Sequence, residues 1–321
     1  MLWDEMAGIR ETVLLVCLIV GGCGGVRQRL PEIAWLRSGD LYLSPAGGGE
    51  PRHCTKIEPG WDRYLAWSPD GKQLLYACHD AGWNVWVYDP VAGSQRRLTE
   101  PGDNRVPAWS RDGRRIAFMS GIGGLSVMEA DGSGARVLTS KGHRDAPPSW
   151  SPDGSRIAFE HIDEGRQEVW VIGADGSGER RRREFAGSPA YSPHGATIAC
   201  AGSSGGKRAL LLLEPDRDEA RVLYLAEGDR WVGAPSWSPD GGSICFECDG
   251  AILVVAAAGG DARRVATVSG RGDILGWSPR GDWILCTDGE RGAERLLAVP
   301  VAGGTPLPVA DGRITVAAAR P

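Results

Sequence analysis

One pentapeptide recurs along the chain. Trp67-Ser68-Pro69-Asp70-Gly71 returns as WSRDG from Trp109, WSPDG from Trp150, YSPHG from Tyr191, WSPDG from Trp237 and WSPRG from Trp277. The six aromatic anchors are spaced 42, 41, 41, 46 and 40 residues apart. Proline presets φ for a β-turn, aspartate bonds nearby backbone amides, and glycine accepts positive φ, so each copy spells a tight turn. A strand-like run follows each turn: LLYAC, IAFMS, IAFEH, IACAG, ICFEC and WILCT. A second run comes next (VWVYD, LSVMEA, VWVIGA, ALLLLE, ILVVAA, RLLAVP), then another turn and a short stretch such as RRLT, RVLT or RRVATV. Each unit therefore holds four short β segments and no helix.

Units of about 40 residues with four strands each have the period of propeller blades. One blade has two apolar faces and cannot bury them alone, so blades must stack around an axis. The anchor aromatic should fill the gap between blades, and truncating one to Ala should cost about 3–5 kcal/mol. Six anchors alone would build six blades, but the chain ends indicate seven. EIAWLRSGDLYLSPAGGGEPRHCT, before the first anchor, matches the later part of a unit and lacks only its first strand. One further step of the mean spacing from Trp277 reaches Ala319, so the C-terminal strand should complete the N-terminal blade and close the ring without open inner edges. The expected fold is an all-β, seven-bladed propeller of four-stranded blades spanning residues 31–321, with six blades as the alternative.

The 321 residues carry a net charge of −5, are 42% hydrophobic and include 47 Gly and 13 Trp, which suits one all-β domain with a large core. The acidic balance argues against nucleic acid as a main partner. No segment after residue 30 is long and apolar enough to cross a membrane as a helix. The first residues read differently. Val13 to Val20 form a short apolar core, followed by small residues and a cysteine. That pattern fits a signal peptide over residues 1–22, with a linker at 23–30. Val20-Gly21-Gly22-Cys23 resembles a bacterial lipoprotein signal, in which the cysteine is lipidated, making Cys23 the expected modification site. Asp4, Glu5 and Glu11 depart from the usual positive leader. A cleaved soluble export or a plain N-terminal anchor are the alternatives.

The WSPDG turns, IAF-type strands, VWVYD-type strands and RRLT ends together resemble the TolB-type propeller repeat, over nearly the whole of residues 31–321. The resemblance implies an exported, periplasmic or membrane-anchored bacterial protein of the cell envelope whose channel mouth receives a segment of a protein partner. The same repeat forms the propeller of prolyl-oligopeptidase-type enzymes, and related propellers include an oligogalacturonate lyase.

Catalytic signals are weak. Gly202-Ser203-Ser204-Gly205-Gly206 has the G-x-S-x-G spacing of a nucleophile elbow but sits between two strands, where that elbow has no place. Cys245 and Cys248 form C-x-x-C without a second pair, and residues i and i+3 of a strand face opposite ways. Register makes the cysteines core residues, because Cys200 and Cys286 occupy the slot of Tyr76, Phe118, Phe159 and Phe246. Arg180–Arg183 falls on an outer blade strand and reads as a solvated, aggregation-blocking edge rather than an anion patch. The five histidines share no ligand spacing. No catalytic residue, metal or cofactor is assigned.

The segments just before the anchors carry more information. They read Trp61-Asp62-Arg63, Asp103-Asn104-Arg105, His143-Arg144-Asp145, Asp229-Arg230-Trp231 and Arg271-Gly272-Asp273. Each links the outer strand of one blade to the inner strand of the next, so together they should ring one mouth of the channel. Arg and Trp are typical interface anchors. The competing reading is plain turn capping and exposed Asp–Arg pairs worth about 0–1 kcal/mol each. The functional expectation is a monomeric, non-enzymatic scaffold that binds a protein or peptide at this mouth and touches the membrane only through an N-terminal lipid. The alternatives are a carbohydrate-active lyase and a sensor ectodomain.

Overall fold

The computed structural model describes residues 32–37, 40–45, 50–56, 64–79, 81–121, 124–143, 146–195, 197–214, 219–269, 272–289, 295–311 and 314–319. Residues 31–321 form one compact unit. The described residues contain seven four-stranded antiparallel sheets and no helix. Each sheet is one blade. Blades 2 to 7 have inner strands Leu65–Trp67, Arg105–Trp109, Ser149–Trp150, Ala186–Tyr191, Ser236–Trp237 and Ile274–Trp277, each ending at an anchor aromatic. The remaining strands of each blade follow in sequence order, outward from the axis.

Blade 1 closes the ring. Its inner strand is Ile314–Ala319, paired antiparallel to Glu32–Arg37 with Leu36 opposite Val316 and Ile33 opposite Ala319. Asp40–Pro45 and Arg52–Lys56 complete it. The seven-blade reading holds, and the two ends of the propeller meet as the repeat arithmetic requires.

The pentapeptide owes its recurrence to its serine. Ser68 is 5% exposed, and its hydroxyl sits in the turn as a hub. It donates to the Asp70 carboxylate at 2.7 Å and accepts the Gln73 amide at 2.9 Å, while the Gly71 amide closes the turn on the Ser68 carbonyl. The same network recurs at Ser110–Asp112, Ser151–Asp153 and Ser238–Asp240. Gly71 has φ +68°, where a side chain would be strained. WSPRG keeps the network by other means: Asp282, just past the turn, accepts from Ser278 in place of the missing aspartate. Only YSPHG loses the carboxylate, and there the His194 amide reaches Ser192 Oγ at a long 3.4 Å.

The anchors tie neighbouring blades together. The indole N–H groups of Trp150, Trp237 and Trp277 donate to the carbonyls of Ala108, Ala190 and Ser236 in the preceding inner strand, at 2.9–3.1 Å. Each acceptor precedes an anchor and is a small residue, which leaves the indole room to approach. The blade perimeter is fastened separately. From the outer strands, Arg96, Arg136, Arg182, Arg221 and Arg263 donate to turn carbonyls of the next blade: Asp131, Ala174 and Asp175, Glu214, Ala257 and Ala258, and Val301. The solvated-edge reading of Arg180–Arg183 holds for the exposed Arg180 and Arg181 and is corrected at Arg182. Arg182 is buried and clasps blade 5, and Arg181 pairs with the buried Glu168 at 2.8 Å and with Glu184.

Cys78, Cys200, Cys245, Cys248 and Cys286 are buried free thiols, as the register predicts, and Cys54 is partly buried. Burial pushes the Cys200 and Cys286 thiols up to about 12, so they stay protonated and serve as small apolar groups. The G-x-S-x-G stretch is a hairpin whose turn glycines, Gly205 and Gly206, both have positive φ; no helix follows it.

The turn carboxylates lie below the usual range because serine hydroxyls and backbone amides donate to them, and Asp153 falls to about 2. A carboxylate depressed in the folded state adds stability that is fully present above its unfolded pKa and lost as pH falls through the folded value. The stability gap between the protein and its Asp153→Asn variant should therefore be widest near neutral pH and shrink as pH drops from about 3.8 towards 2, read from urea midpoints. Trp150→Ala should cost about 3–5 kcal/mol in the same measurement.

Candidate functional site

Linkers between blades and hairpins between second and third strands emerge at one end of the inner strands; the pentapeptide turns emerge at the other. The linker end carries the candidate mouth. Of its expected residues, Trp61, Asp62, Arg63, Arg144, Asp145 and Arg271 lie outside the described residues, as does Cys23. The rest can be placed.

Asp103, Asn104 and Arg105 meet the hairpin of blade 2. Asp103 forms a parallel bridge to Trp83, and the Asn104 amide donates to the Trp83 carbonyl at 2.9 Å. Arg105 Nε donates to the Asp103 carboxylate, and its guanidinium lies 4.4 Å from the Trp83 ring centroid. His79 stands edge-on to the same indole at 5.7 Å. Arg105 is thus fixed between a carboxylate and an aromatic face, a geometry that exposed Asp–Arg pairing alone does not give.

His143 is held differently. Its Nδ1 lies 3.2 Å from Oε1 of Glu160, which is 2% exposed. Gln167 Nε2 donates to the same carboxylate at 3.1 Å, and the Ser188 amide donates to Oε2 at 2.8 Å. Burial alone would raise this carboxyl, but the bonds from His143 and Ser188 outweigh it and hold the group below its ordinary value. Glu160 thereby joins three segments: the linker into blade 4, blade 4 itself, and the inner strand of blade 5. The fit is tight, because a Cβ on Gly187 would collide with the carboxylate. The neighbouring His161 Nδ1 accepts the Gly142 amide at 3.2 Å, fixing the same linker.

Trp231 is half-buried. Its amide donates to Asp249, and Arg208 of blade 5 covers its ring at 5.0 Å. Arg230 makes a loose exposed pair with Glu227 at 3.7 Å, and Asp229 is exposed. Asp273 is engaged through its backbone with Thr287. The structure therefore brings Arg105 and His143 into built settings and leaves Asp229 and Arg230 as plain surface.

Sequence reasoning missed the partners Trp83, Glu160 and Arg208 on second and third strands, because it followed only the linkers. The signal was available: second-to-third-strand hairpins must emerge at the same end. It also skipped the junction of blades 4 and 5, where Phe185 is 52% exposed with φ +55°. A bulky residue at positive φ is a strained backbone position. Another cation–aromatic pair, Lys141 over Trp170 at 3.9 Å, lies on blades 3 and 4. Among the described residues, no three His, Cys, Asp or Glu side chains converge as a metal site.

Comparison with known proteins agrees with this architecture. Residues 36–187 match the family model of the TolB beta propeller domain. An uncharacterized protein of Agrobacterium fabrum is 38% identical over 60 residues, which cover 18% of this chain and only 20% of that relative. TolB from Acinetobacter baumannii superposes with a TM-score of 0.60 at 18% identity, over 98% of this chain and 72% of that one. An oligogalacturonate lyase in complex with manganese superposes with a TM-score of 0.65 at 14% identity, over 88% of this chain and 85% of that one. At such identities these likenesses establish the fold.

Replacing Glu160 with Leu should strand the Ser188 amide and Gln167 and release His143, costing about 1–3 kcal/mol in urea unfolding. Gly187→Ala should destabilise through the same carboxylate, and the double variant should cost less than the two single changes added together.

Proposed function

With a propeller of the TolB-type repeat as the premise, we propose that the protein is a non-enzymatic, exported scaffold that binds a protein or peptide of the cell envelope at its linker-end mouth. One observation carries this reading: the cations and indoles of the rim are held in place before any partner arrives. Arg105 is fixed by Asp103 and Trp83, Trp231 by Arg208 and Asp249, and His143 by Glu160. Rim groups held this way lose little freedom on binding, which is the economy of a preorganised interface. Trp and Arg are the residues that most often dominate interface energetics. The partner segment docks by rigid-body association, with the blades as the frame and the rim loops as the reader.

Export follows the same proposal. The apolar stretch Val13–Val20 followed by Gly21-Gly22-Cys23 supports a signal peptide and lipidation of Cys23. Radiolabelled palmitate should be incorporated by the protein and not by its Cys23→Ala variant.

A lyase-type enzyme is the second reading, favoured by one feature: an imidazole held by a buried carboxylate suits proton transfer. Elemental analysis separates the two. The scaffold reading expects no stoichiometric manganese or calcium in the purified protein; one equivalent of either would favour the enzyme. For the mouth itself, the double variant Arg105→Ala, Trp231→Ala should lose partner capture from envelope extracts by at least about tenfold, with its unfolding midpoint close to that of the unaltered protein. Unchanged capture would refute the mouth as the binding surface.

A further inference from the structure

Two of the departures among the six pentapeptides meet in space. Arg111 stands where the other copies have Pro69, Pro152, Pro193, Pro239 and Pro279, and Tyr191 stands where the others have Trp. Both line one cleft of about 300 Å³ on blades 3 to 5, at the turn end of the channel, opposite the linker mouth. Trp109 and Trp150 form its aromatic walls, with Ser149 and Ser192 beside them.

The cleft has a cause in the sequence. Three anchors bridge to the preceding inner strand through an indole N–H. A phenol has no such donor in that place and is smaller. At Tyr191 the bridge is made instead by the backbone amide, which donates to Ser149 Oγ at 2.9 Å. The hydroxyl of Ser149 accepts there and keeps its own proton to give. Arg111 is exposed, and it makes no hydrogen bond or ion pair among the described residues. The adjacent Asp112 makes no ion pair with it; its carboxylate takes hydrogen bonds from Ser110 Oγ at 2.6 Å and the Arg114 amide at 3.1 Å.

An unmatched guanidinium and hydroxyl donors over aromatic walls suit one chemistry. We propose that this cleft binds a carboxylate carried on an apolar or aromatic body, with Arg111 and Ser149 holding the carboxylate and Trp109, Trp150 and Tyr191 holding the body. The guanidinium provides a two-pronged, charge-assisted contact that an amide cannot replace. The source is a free small acid or the end of a peptide; both present the same group.

Calorimetric titration with N-acetylphenylalanine, its amide, a tripeptide ending in free phenylalanine, and that tripeptide amidated tests this. The two acids should bind, and each amide should bind at least about tenfold more weakly. A tighter tripeptide acid points to a peptide terminus, and a tighter N-acetylphenylalanine to a small acid. Arg111→Pro restores the turn of the other copies and should lower acid binding at least about tenfold. Arg111→Gln should do the same if the proline variant folds poorly. Tyr191→Trp should fill the cleft and abolish binding. Trp231→Ala, at the far end of the channel, should change nothing here, which keeps this test separate from that of the linker mouth. Acids and amides binding alike, no binding by either acid at millimolar concentration, or acid binding untouched in a folded Arg111 variant would each overturn the proposal.

Discussion

A four-stranded blade is apolar on both faces, so no blade is stable until both neighbours are in place. Closure of the ring is therefore the condition for everything else. It is met by backbone pairing between Ile33–Arg37 and Ile314–Ala319, in a blade whose strands come from both ends of the propeller. With that seam paired, each sheet is covered on two sides, and fully buried side chains such as Tyr76, Phe159 and Phe246 reach 0–1% exposure. The channel, its two mouths and the positions of their side chains all follow from that closure.

Within the ring the links fall into two tiers. Near the axis, indoles reach back to the carbonyls of the preceding blade. At the perimeter, arginines reach forward to the turns of the next. Neither tier is strong bond by bond, since a typical hydrogen bond contributes about 0.5–1.5 kcal/mol net. Their value lies in repetition. The linker mouth inherits this rigidity: Glu160 can hold a histidine, a glutamine and a backbone amide at once because the surrounding blades are fixed around it.

Much of the fold was legible in the sequence, and the reason is physical. A turn that needs serine, aspartate and glycine at set offsets leaves a mark that survives drift elsewhere, and its period gives blade length and number. Asp282 shows the limit of reading by position: it rescues the WSPRG turn from two residues beyond the missing aspartate's place, where a pattern match does not look. Arg182 was misread because a strand's charge says nothing about whether a neighbouring turn waits above it; its guanidinium is buried where Glu214 of the next blade offers a carbonyl. At the mouth, the linker residues could be named from the sequence, but their partners could not. Trp83, Glu160 and Arg208 lie on other segments, and only the ring brings them to Arg105, His143 and Trp231.

From blade 2 to blade 7 the perimeter arginines act in one sense, each reaching forward to the next blade. A row of like links in one direction, closed by backbone pairing, marks out no privileged first member. Where the backbone is cut is then an accident of heredity rather than a requirement of architecture. The covalent break could be moved to an exposed hairpin such as Gly205-Gly206, with the present seam sewn by a short peptide, and the same wheel should assemble from a rearranged order of spokes.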